Sequence, residues 1–413
     1  MSTHLSTTPA IEYDPSIPAM LRDPYPVFAE LRAAGGVQWC PALSGWLALD
    51  WASVNTIVMT PKVFSANRLA QINAHLPEPD RTTAGEVLEW LTRWIVFQDP
   101  PDHTRVRRHL ASAINPKIVH ALRDATVEIA TGLLDELAAR GTFDFYAEVG
   151  LRLPGYVVMD LLGVPRDRLT EVKQWSDEMM LFIGSSRGVP DKYTKARHGA
   201  HCMAGLFRDL IAARRADPRA DTVTHLLTSE AGGTTLTDEE IVAAMMMIAN
   251  GAQETTAHLL SNALIALTAN PDARARLAAA PALMPTAVEE FLRYDSPVLA
   301  TARLVTADTE VAGARLRAGD RIFALLAAAN RDPAVFTDPD ALAIDGHPAA
   351  HLAFSKGAHF CLGAPVARME AAVVLAEILR RFPHWHIDEP LAEIPWVNSM
   401  VARGPARLPV SLT

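Results

Sequence analysis

Apolar residues recur at helical spacing over most of the chain after residue 103. Apolar positions three or four residues apart are the signature of a helix with one buried face. The pattern predicts helices over 103–114, 116–140, 143–162, 166–183, 192–215, 221–230 and 238–269. A further amphipathic helix follows Gly363, with Val366, Met369 and Val373 on one stripe. The chain is therefore expected to be mainly α-helical.

The two ends of the chain show other patterns. Pro24 and Pro26 predict the start of a short helix, which Gly35 and Gly36 close. Residues 37–51 predict a hairpin that turns at 43–45, and segments near 300–312 and 321–326 predict strands. Residues 66–98 and 328–350 predict irregular connections, and the tail 394–412 predicts extended chain. We expect a single domain, 1–413, with β-rich portions at about 37–60, 298–326 and 394–412.

Composition narrows the class of protein. The chain has 413 residues, of which 49% are hydrophobic, and a formal net charge of −9. This charge, with no basic stripe to offset it, argues against nucleic-acid binding. Three widely separated cysteines do not make a disulfide framework. No signal-peptide core or membrane-length apolar run is present, so a soluble cytoplasmic protein is expected.

The strongest chemical pattern is a glycine-flanked cysteine at the start of a helix. It reads Phe354-x-x-Gly357-x-His359-x-Cys361-x-Gly363. A thiolate there is stabilised by the free N–H groups and by the positive end of the helix dipole. The residues alone leave open an axial metal ligand, a nucleophile or a redox thiol, beside an inert core cysteine. A zinc site would need two further ligands at the usual spacing.

The helix 238–269 carries a second pattern. Its first half is apolar nearly all round, which predicts a core helix. Polar and small residues follow from Asn250 to Thr256, and Glu254 precedes Thr255 there. A buried acid beside a buried hydroxyl is costly unless it is used, which favours proton delivery to a ligand bound against the helix. The alternative is a solvated polar patch around a kink.

Two charged pairs complete the candidate chemistry. His103 and Arg107 lie one helical turn apart and suit a carboxylate or a phosphate. Glu290 and Arg293 share one helix face just before Pro297. Either pair has a plain alternative, since most such charges are ordinary surface groups.

A competing motif is Gly184-x-Ser186-x-Gly188, which matches the nucleophile elbow of serine hydrolases. That elbow requires a strand before the serine and a helix after it. Here the preceding segment has a helical pattern and Pro190 follows. We therefore interpret Ser186 as a loop residue.

The four chemical patterns, in this order, resemble the cytochrome P450 family in its soluble bacterial form. The resemblance runs from DPYPVFAELR at 23–32 to LPVSL near the end, and its most specific part is the cysteine loop with LGAPVARMEA after it. It implies the cytochrome P450 fold, a triangular helical prism with small β-sheets. A haem would lie between the long distal helix and the cysteine loop.

The resemblance also implies roles for the candidate residues. Cys361 would be the thiolate ligand of a b-type haem, beside Phe354, in a loop shaped by Gly357 and Gly363. The positions that match those binding the haem propionates are His103, Arg107, Arg303 and His359. The oxygen-binding groove matches the stretch that begins with Gly251 and Ala252, and Glu254 with Thr255 would be its catalytic acid–alcohol pair. Glu290 and Arg293 match a structural pair behind the haem.

Three positions depart from the family pattern. Ala252 stands where the groove usually has a glycine, and Ser355 stands where a glycine is commoner. Gly346 stands where the family has the second arginine of a Glu–Arg–Arg triad. We expect His347 or a backbone carbonyl to complete that network.

The implied reaction inserts one atom of O2 into a C–H or C=C bond of a hydrophobic small molecule, in bacterial secondary metabolism. Electrons would come from NAD(P)H through a ferredoxin and its reductase, which would meet basic residues such as Arg105, Arg108 and Lys356. We expect a monomer. Two alternatives remain: a P450-type oxidative coupling or peroxygenase enzyme, and a non-catalytic helical ligand-binding protein.

The resemblance also places the substrate pocket. Its walls would come from the connection 66–98, the region 174–192, the distal helix, the stretch after Pro297 and the end of the chain. The specific candidates are Ala244, Ile248, Ala252, Val298, Leu299, Ala300, Met400 and Val401.

Overall fold

The computed structural model describes residues 13–69, 76–78, 80–183, 189, 191–346 and 350–412. It is mainly helical, as the sequence predicts. The α-helices are Pro18–Arg22, Tyr25–Ala34, Trp51–Met59, Asp80–Leu91, Asp102–Ala113, Pro116–Ala138, Arg152–Leu162, Leu169–Met180, Lys192–Ala216, Thr222–Thr228, Asp238–Ala269, Pro271–Ala279, Met284–Tyr294, Leu326–Ala329 and Ala364–Arg381. The π-helical segment Tyr146–Leu151 leads into the helix Arg152–Leu162.

The described residues form three small sheets beside the helices. Their strands are β1 Val37–Cys40, β2 Gly45–Ala48, β3 Phe64–Ser65, β4 Thr142–Asp144, β5 Thr301–Val305, β6 Thr309–Val311, β7 Ala314–Leu316, β8 Arg321–Ala324, β9 His386–Ile387 and β10 Pro409–Ser411. The five-stranded sheet has the order β1-β2-β8-β5-β3, with β2 and β8 parallel. The predicted hairpin is confirmed, with Val37 opposite Ala48 and Cys40 opposite Gly45.

The helix Asp238–Ala269, called the central helix below, has the bounds that the sequence predicts. Thr237 caps it through a reciprocal pair with Glu240, which satisfies two N–H groups that a helix start leaves free. Its 32 residues span about 48 Å at 1.5 Å per residue. Its first half lies in one hydrophobic core and its second half in another. It therefore runs through the interior and fixes the position of every element packed on it.

The helix Ala364–Arg381, called the cysteine helix, packs against the central helix. Pro365 occupies its first turn, where a missing N–H costs nothing. Its buried side chains pack in the core around the second half of the central helix. The cysteine loop is thus held by a helix that has its own hydrophobic anchor.

Two sequence predictions are wrong. Residues 66–98 contain the helix Asp80–Leu91 and a 3-10 turn at Ile95–Phe97, because buried Ala84, Val87, Leu88 and Leu91 give a helical stripe hidden among polar residues. Residues 51–59, assigned to a β-rich portion, form a helix that Asp50 caps. The tail 394–412, predicted to be extended, carries the strand β10 and isolated β-bridges at Ala402 and between Trp396 and Pro405.

Candidate active site: a cavity between the central helix and the cysteine loop

A cavity of about 340 Å³ separates the central helix from the cysteine loop. Most of its wall is apolar, as is usual for sites that enclose a small molecule. The floor carries Phe354, His359, Cys361 and Gly363, and the roof carries Gly251, Ala252, Thr255 and Thr256. Elements far apart in the chain therefore bring the two main sequence patterns face to face.

The cysteine loop has a backbone that its glycine requires. Gly357 has φ +68°, and a Cβ there would lie 2.8 Å from the sulfur of Met59. The Cys361 N–H donates to the carbonyl of Phe354 at 2.9 Å, which closes the loop. Burial raises the pKa of the Cys361 thiol, while the N–H of Gly363 and the Arg107 guanidinium act to lower it. The sulfur itself faces the cavity, so a positive partner there would favour its thiolate form.

Four predicted cationic groups meet at one edge of this floor. His103 and His359 lie with ring centroids 4.4 Å apart, and Arg107 donates to the carbonyl of Phe360 at 2.7 Å. Arg303 is buried, and its recorded hydrogen bonds go to the Thr301 hydroxyl and the Ala302 carbonyl. Among the described residues, both ring nitrogens of His103 and Nε2 of His359 have no partner.

The pKa values of this cluster show the effect of burial. Burial, with Arg303 and His103 nearby, lowers the pKa of His359 to about 3. Burial lowers the pKa of Arg303 to about 10, although Asp99 acts in the opposite direction. At neutral pH Arg303 is therefore charged and His359 is neutral. An acidic ligand would pair with the guanidinium and accept from the buried imidazole.

Sequence reasoning missed a fifth cation, Arg68. Burial and the charge of Arg303 lower its pKa to about 10, and its guanidinium lies 4.6 Å from the ring centre of Phe97. No motif surrounds Arg68 in the sequence. It comes into range only because β3 pairs with β5, the strand that carries Arg303.

On the central helix, Thr255 and Glu254 face different ways. The Thr255 hydroxyl donates to the carbonyl of Gly251 at 2.8 Å, one turn back, and Thr255 lines the cavity. The Glu254 side chain is 43% exposed and does not line it. The expectation of a buried acid is wrong for Glu254, because the helix turns successive residues by about 100° and so places the two side chains on different faces.

A second acid takes the buried place, and sequence reasoning missed it. Glu370, on the cysteine helix, is 3% exposed and lines the cavity beside Thr256. Burial raises the pKa of Glu370 to about 8, and its hydrogen bond with the Thr256 hydroxyl acts to lower it. The available signal was a charged residue on the buried stripe of Val366 and Val373.

The Glu290–Arg293 pair is fully buried, with two N–H···O bonds of 2.7 Å. Backbone groups complete its network where the family's second arginine is missing. Arg293 also donates to the carbonyls of Asn330, Pro339 and Ala341, and the Ala343 N–H donates to Glu290. Gly346 is exposed, so the backbone completes the network without it. His347 and the Ser186 motif lie outside the described residues.

The structure sorts the predicted substrate residues. Ile248, Ala252 and Val298 line the cavity. The others do not: Ala244, Leu299 and Ala300 are buried in hydrophobic cores, Met400 packs against one of them, and Val401 is exposed. Leu299 turns away because successive residues of extended chain alternate in direction.

One predicted wall is also replaced. No described residue of the region 174–192 lines the cavity. Val157, Val158 and Leu161, from the helix Arg152–Leu162, line it instead. That helix packs directly against the central helix, which the sequence pattern did not indicate.

Comparison with known proteins agrees with this geometry. The family model "Cytochrome P450" matches residues 74–280 and 282–408. The Vitamin D(3) 25-hydroxylase of Pseudonocardia autotrophica is 33% identical over 99% of this chain and 98% of its own length. The cytochrome P450 monooxygenase PikC of Streptomyces venezuelae is 32% identical over 94% and 91%. The chain belongs to the cytochrome P450 family.

Solved structures give the same result for the fold. The crystal structure of P450BioI in complex with a fatty-acid-ligated acyl carrier protein superimposes with a TM-score of 0.88, at 28% identity, over 96% of this chain and 99% of that one. The protein is a cytochrome P450 monooxygenase, an oxidoreductase that uses haem, O2 and electrons from redox partners. Within the described part of the chain, no helix has the length and apolarity to cross a membrane.

The residues of this chain fit the haem that the family implies. Cys361 offers a sulfur to the cavity, and the cationic edge leaves buried ring nitrogens without partners. Two carboxylates on one edge of a planar group would pair with that edge. The roof is also open above: a Cβ on Gly251 would meet nothing within 4 Å. The donor set suits an iron porphyrin.

Proposed function

We propose that this chain hydroxylates or epoxidises a neutral, hydrophobic small molecule, with Cys361 as the thiolate ligand of haem b. The carrying observation is a cavity that combines Cys361 with an edge formed by His103, Arg107 and His359, where buried imidazole nitrogens have no hydrogen-bond partner among the described residues. A nucleophilic or redox cysteine has no use for that cationic edge. When bound, the haem supplies the activation of dioxygen.

The chain's own groups would bind and orient the cofactor. His103, Arg107, Arg303 and His359 would hold its two carboxylates, with Arg68 as a further positive charge beside them. Phe354 and Gly363 would form the surface under its plane. The buried Glu290–Arg293 pair anchors the chain segment 330–343 through three backbone carbonyls and the Ala343 N–H, which supports the region before the cysteine loop.

The central helix would deliver protons. The Thr255 hydroxyl lies at the cavity wall, already bonded to the Gly251 carbonyl. Glu254 lies at the solvent side of the same turn, where it can take a proton from water. We assign Glu254 as the acid that loads the relay and Thr255 as the hydroxyl that passes a proton into the cavity.

The substrate class follows from the cavity wall. Apart from the cofactor-binding edge and Glu370, the lining side chains are uncharged and mostly apolar. A charged substrate would lack a partner there. Relatives named for polyketide biosynthesis and for vitamin D(3) hydroxylation support a hydrophobic natural product. The relative bound to an acyl carrier protein supports a carrier-bound form of such a molecule.

Electrons would come from NAD(P)H through a ferredoxin and its reductase. Lys356, beside the cysteine loop, lies over the ring of Trp51 and offers a positive charge to an acidic partner. Arg105 is already bound to Glu240, so it is a weaker candidate than the sequence indicated. Lys356→Glu should slow reduction by the ferredoxin at low salt, and equal rates in both proteins would reject this docking face. A cytoplasmic monomer fits these proposals.

The test of the proposed function is spectroscopic. The reduced protein with carbon monoxide should show the red-shifted Soret band that thiolate ligation gives, and Cys361→Ala should lose it. Arg303→Ala should keep the band position but release haem faster, because its role is to bind a carboxylate. A protein that takes up no haem would reject the proposal and favour a ligand-binding protein. A library of hydrophobic natural products, screened for Soret shifts, would then identify the substrate.

A further inference from the structure

The imidazole of His258 is a buried polar group without an assigned role. It is fully buried in the central helix, one turn after Glu254, and does not line the cavity. Within the described part of the chain, neither of its ring nitrogens has a hydrogen-bond partner. A buried polar group without a partner lowers the stability of the fold, so a histidine at this position needs a reason.

The ring is held firmly from two sides. Tyr146 stacks on it with centroids 5.1 Å apart and an interplanar angle of 12°. On the other side a Cβ at Gly404 would lie 2.0 Å from Nδ1 of His258, so only a glycine leaves room for the ring. The imidazole is therefore fixed, and its Nε2 lies 3.7 Å from Oε1 of Glu254.

Glu254 has few other charged neighbours. The helix Leu169–Met180 presents Lys173 and Asp177 to it, and Tyr146 lies near it on the π-helical segment. His258 is the largest influence: with a smaller contribution from Lys173, it lowers the pKa of the Glu254 carboxyl against the effect of burial. The Lys173 ammonium is shared with Asp177, to which it donates.

We propose that His258 is a positioning residue of the reaction, which holds the Glu254 carboxylate on the solvent side of the central helix and acts only through it. The inference rests on the proposed function, in which Glu254 loads protons for Thr255. The fixed imidazole lies one turn from Glu254. It gives the flexible Glu254 side chain one preferred orientation after it has passed on one proton and before it takes up the next. Tyr146 and Gly404 are then the supports that keep this partner in place.

The loss of His258 has a defined electrostatic sign. A neighbouring group that donates to a carboxylate favours its ionised form and so lowers the pKa of the carboxyl. Without the imidazole, the pKa of the Glu254 carboxyl should rise, so its protonated form should persist to higher pH. The pH at which proton delivery falls to half should then move upward.

The test uses His258→Phe, which keeps a ring against Tyr146, and His258→Gln, which keeps polarity without a ring. Each is made in the haem-loaded enzyme alone and combined with Glu254→Gln. Two quantities are measured against pH: product formed per electron pair consumed, and the infrared carboxyl band that Glu254→Gln removes. The second does not depend on turnover. His109→Phe serves as the control for losing a buried imidazole, since His109 bonds Ser229 and Thr234 away from the cavity.

The inference predicts that both His258 variants raise the infrared midpoint of Glu254 and shift the pH profile of coupling, and that neither adds an effect in the Glu254→Gln background. An unchanged infrared midpoint would overturn it, and so would an equal effect of His258→Phe with and without Glu254. If Glu254→Gln itself leaves coupling intact, the relay in the proposed function is wrong. The infrared midpoint still decides whether His258 holds Glu254.

Discussion

Two carboxylic acids stand beside neighbouring threonines of the central helix, in opposite surroundings. Glu254 is half-exposed, near His258 and Lys173, and these neighbours lower the pKa of its carboxyl. Glu370 is buried at the cavity wall, bonded to Thr256, and burial raises the pKa of its carboxyl to about 8. At neutral pH the first is a carboxylate and the second is mostly a neutral acid.

The difference teaches how one site separates two kinds of acid. Environments that push two carboxyl pKa values apart assign different roles to the same chemical group. Glu254 can exchange protons with water, whereas Glu370 can hold one inside the cavity wall. The threonines differ in the same way, since Thr255 bonds back to its own helix and Thr256 reaches across to the cysteine helix.

The largest expected effect is on product yield and comes from breaking the pair of Glu254 and Thr255. Thr255→Ala should uncouple electron use from product and release hydrogen peroxide, because the cavity loses its proton-passing hydroxyl. General acid–base groups contribute about 10²–10⁴-fold, so product per electron pair should fall at least about tenfold. The measurement is product and peroxide against NAD(P)H consumed. If product per electron pair does not change, the proton relay is wrong. The alternative of an oxidative-coupling or peroxygenase enzyme would then be favoured.

The next effect is that of Glu370, the buried acid, on the stability of the folded protein. The folded-state pKa of Glu370 is raised to about 8, above its unfolded value, so the folded protein binds one proton more than the unfolded chain between about pH 4.5 and 8. Its contribution to stability is present at low pH and is lost as pH rises through that window. Glu370→Gln removes the dependence and should stabilise the protein by a few kcal/mol near pH 8.

That expectation is checked by thermal melting of the haem-loaded protein at several pH values. The melting temperatures of wild type and Glu370→Gln should agree near pH 5 and separate towards pH 8. Parallel curves over the whole range would show that Glu370 does not carry this proton in the folded state.

A smaller effect is expected from the hydroxyl that bonds Glu370. Thr256→Val keeps the shape of the side chain but leaves the buried carboxyl with one partner fewer. The loss should cost about 1–3 kcal/mol in the free energy of unfolding. It should also raise the pKa of Glu370 further, because the hydrogen bond with Thr256 acts to lower it. Denaturant unfolding measures the first effect and the pH dependence of melting measures the second.

The smallest expected effect is that of Glu254, the half-exposed acid, on the free energy of unfolding. Glu254→Gln removes a partly exposed charge whose interactions are screened by water, so the free energy of unfolding should change by less than about 1 kcal/mol. The same variant should reduce coupling strongly. If Glu254→Gln instead lost much of its free energy of unfolding and kept its product per electron pair, Glu254 would be the structural acid and Glu370 the acid that delivers protons.

Much of the molecule was determined by local sequence. The central helix and its limits follow from the pattern of apolar residues over 238–269. The cysteine loop was readable because Gly357 and Gly363 flank Cys361 at a helix start, and Gly357 has the positive φ that favours glycine. The helix Asp80–Leu91 was missed because propensity and polarity there oppose a pattern that only burial reveals.

What only the tertiary structure decided is which side chains meet. Arg68 joins the cationic edge through the pairing of β3 with β5, and the Ala343 N–H donates to Glu290 in the network that has no arginine at Gly346. Sequence could name Glu254 as an acid but could not place it outside the cavity, nor find Glu370 inside it. The physical reason is that ionisation depends on burial and on neighbours brought from distant segments, and these exist only once the helices have packed.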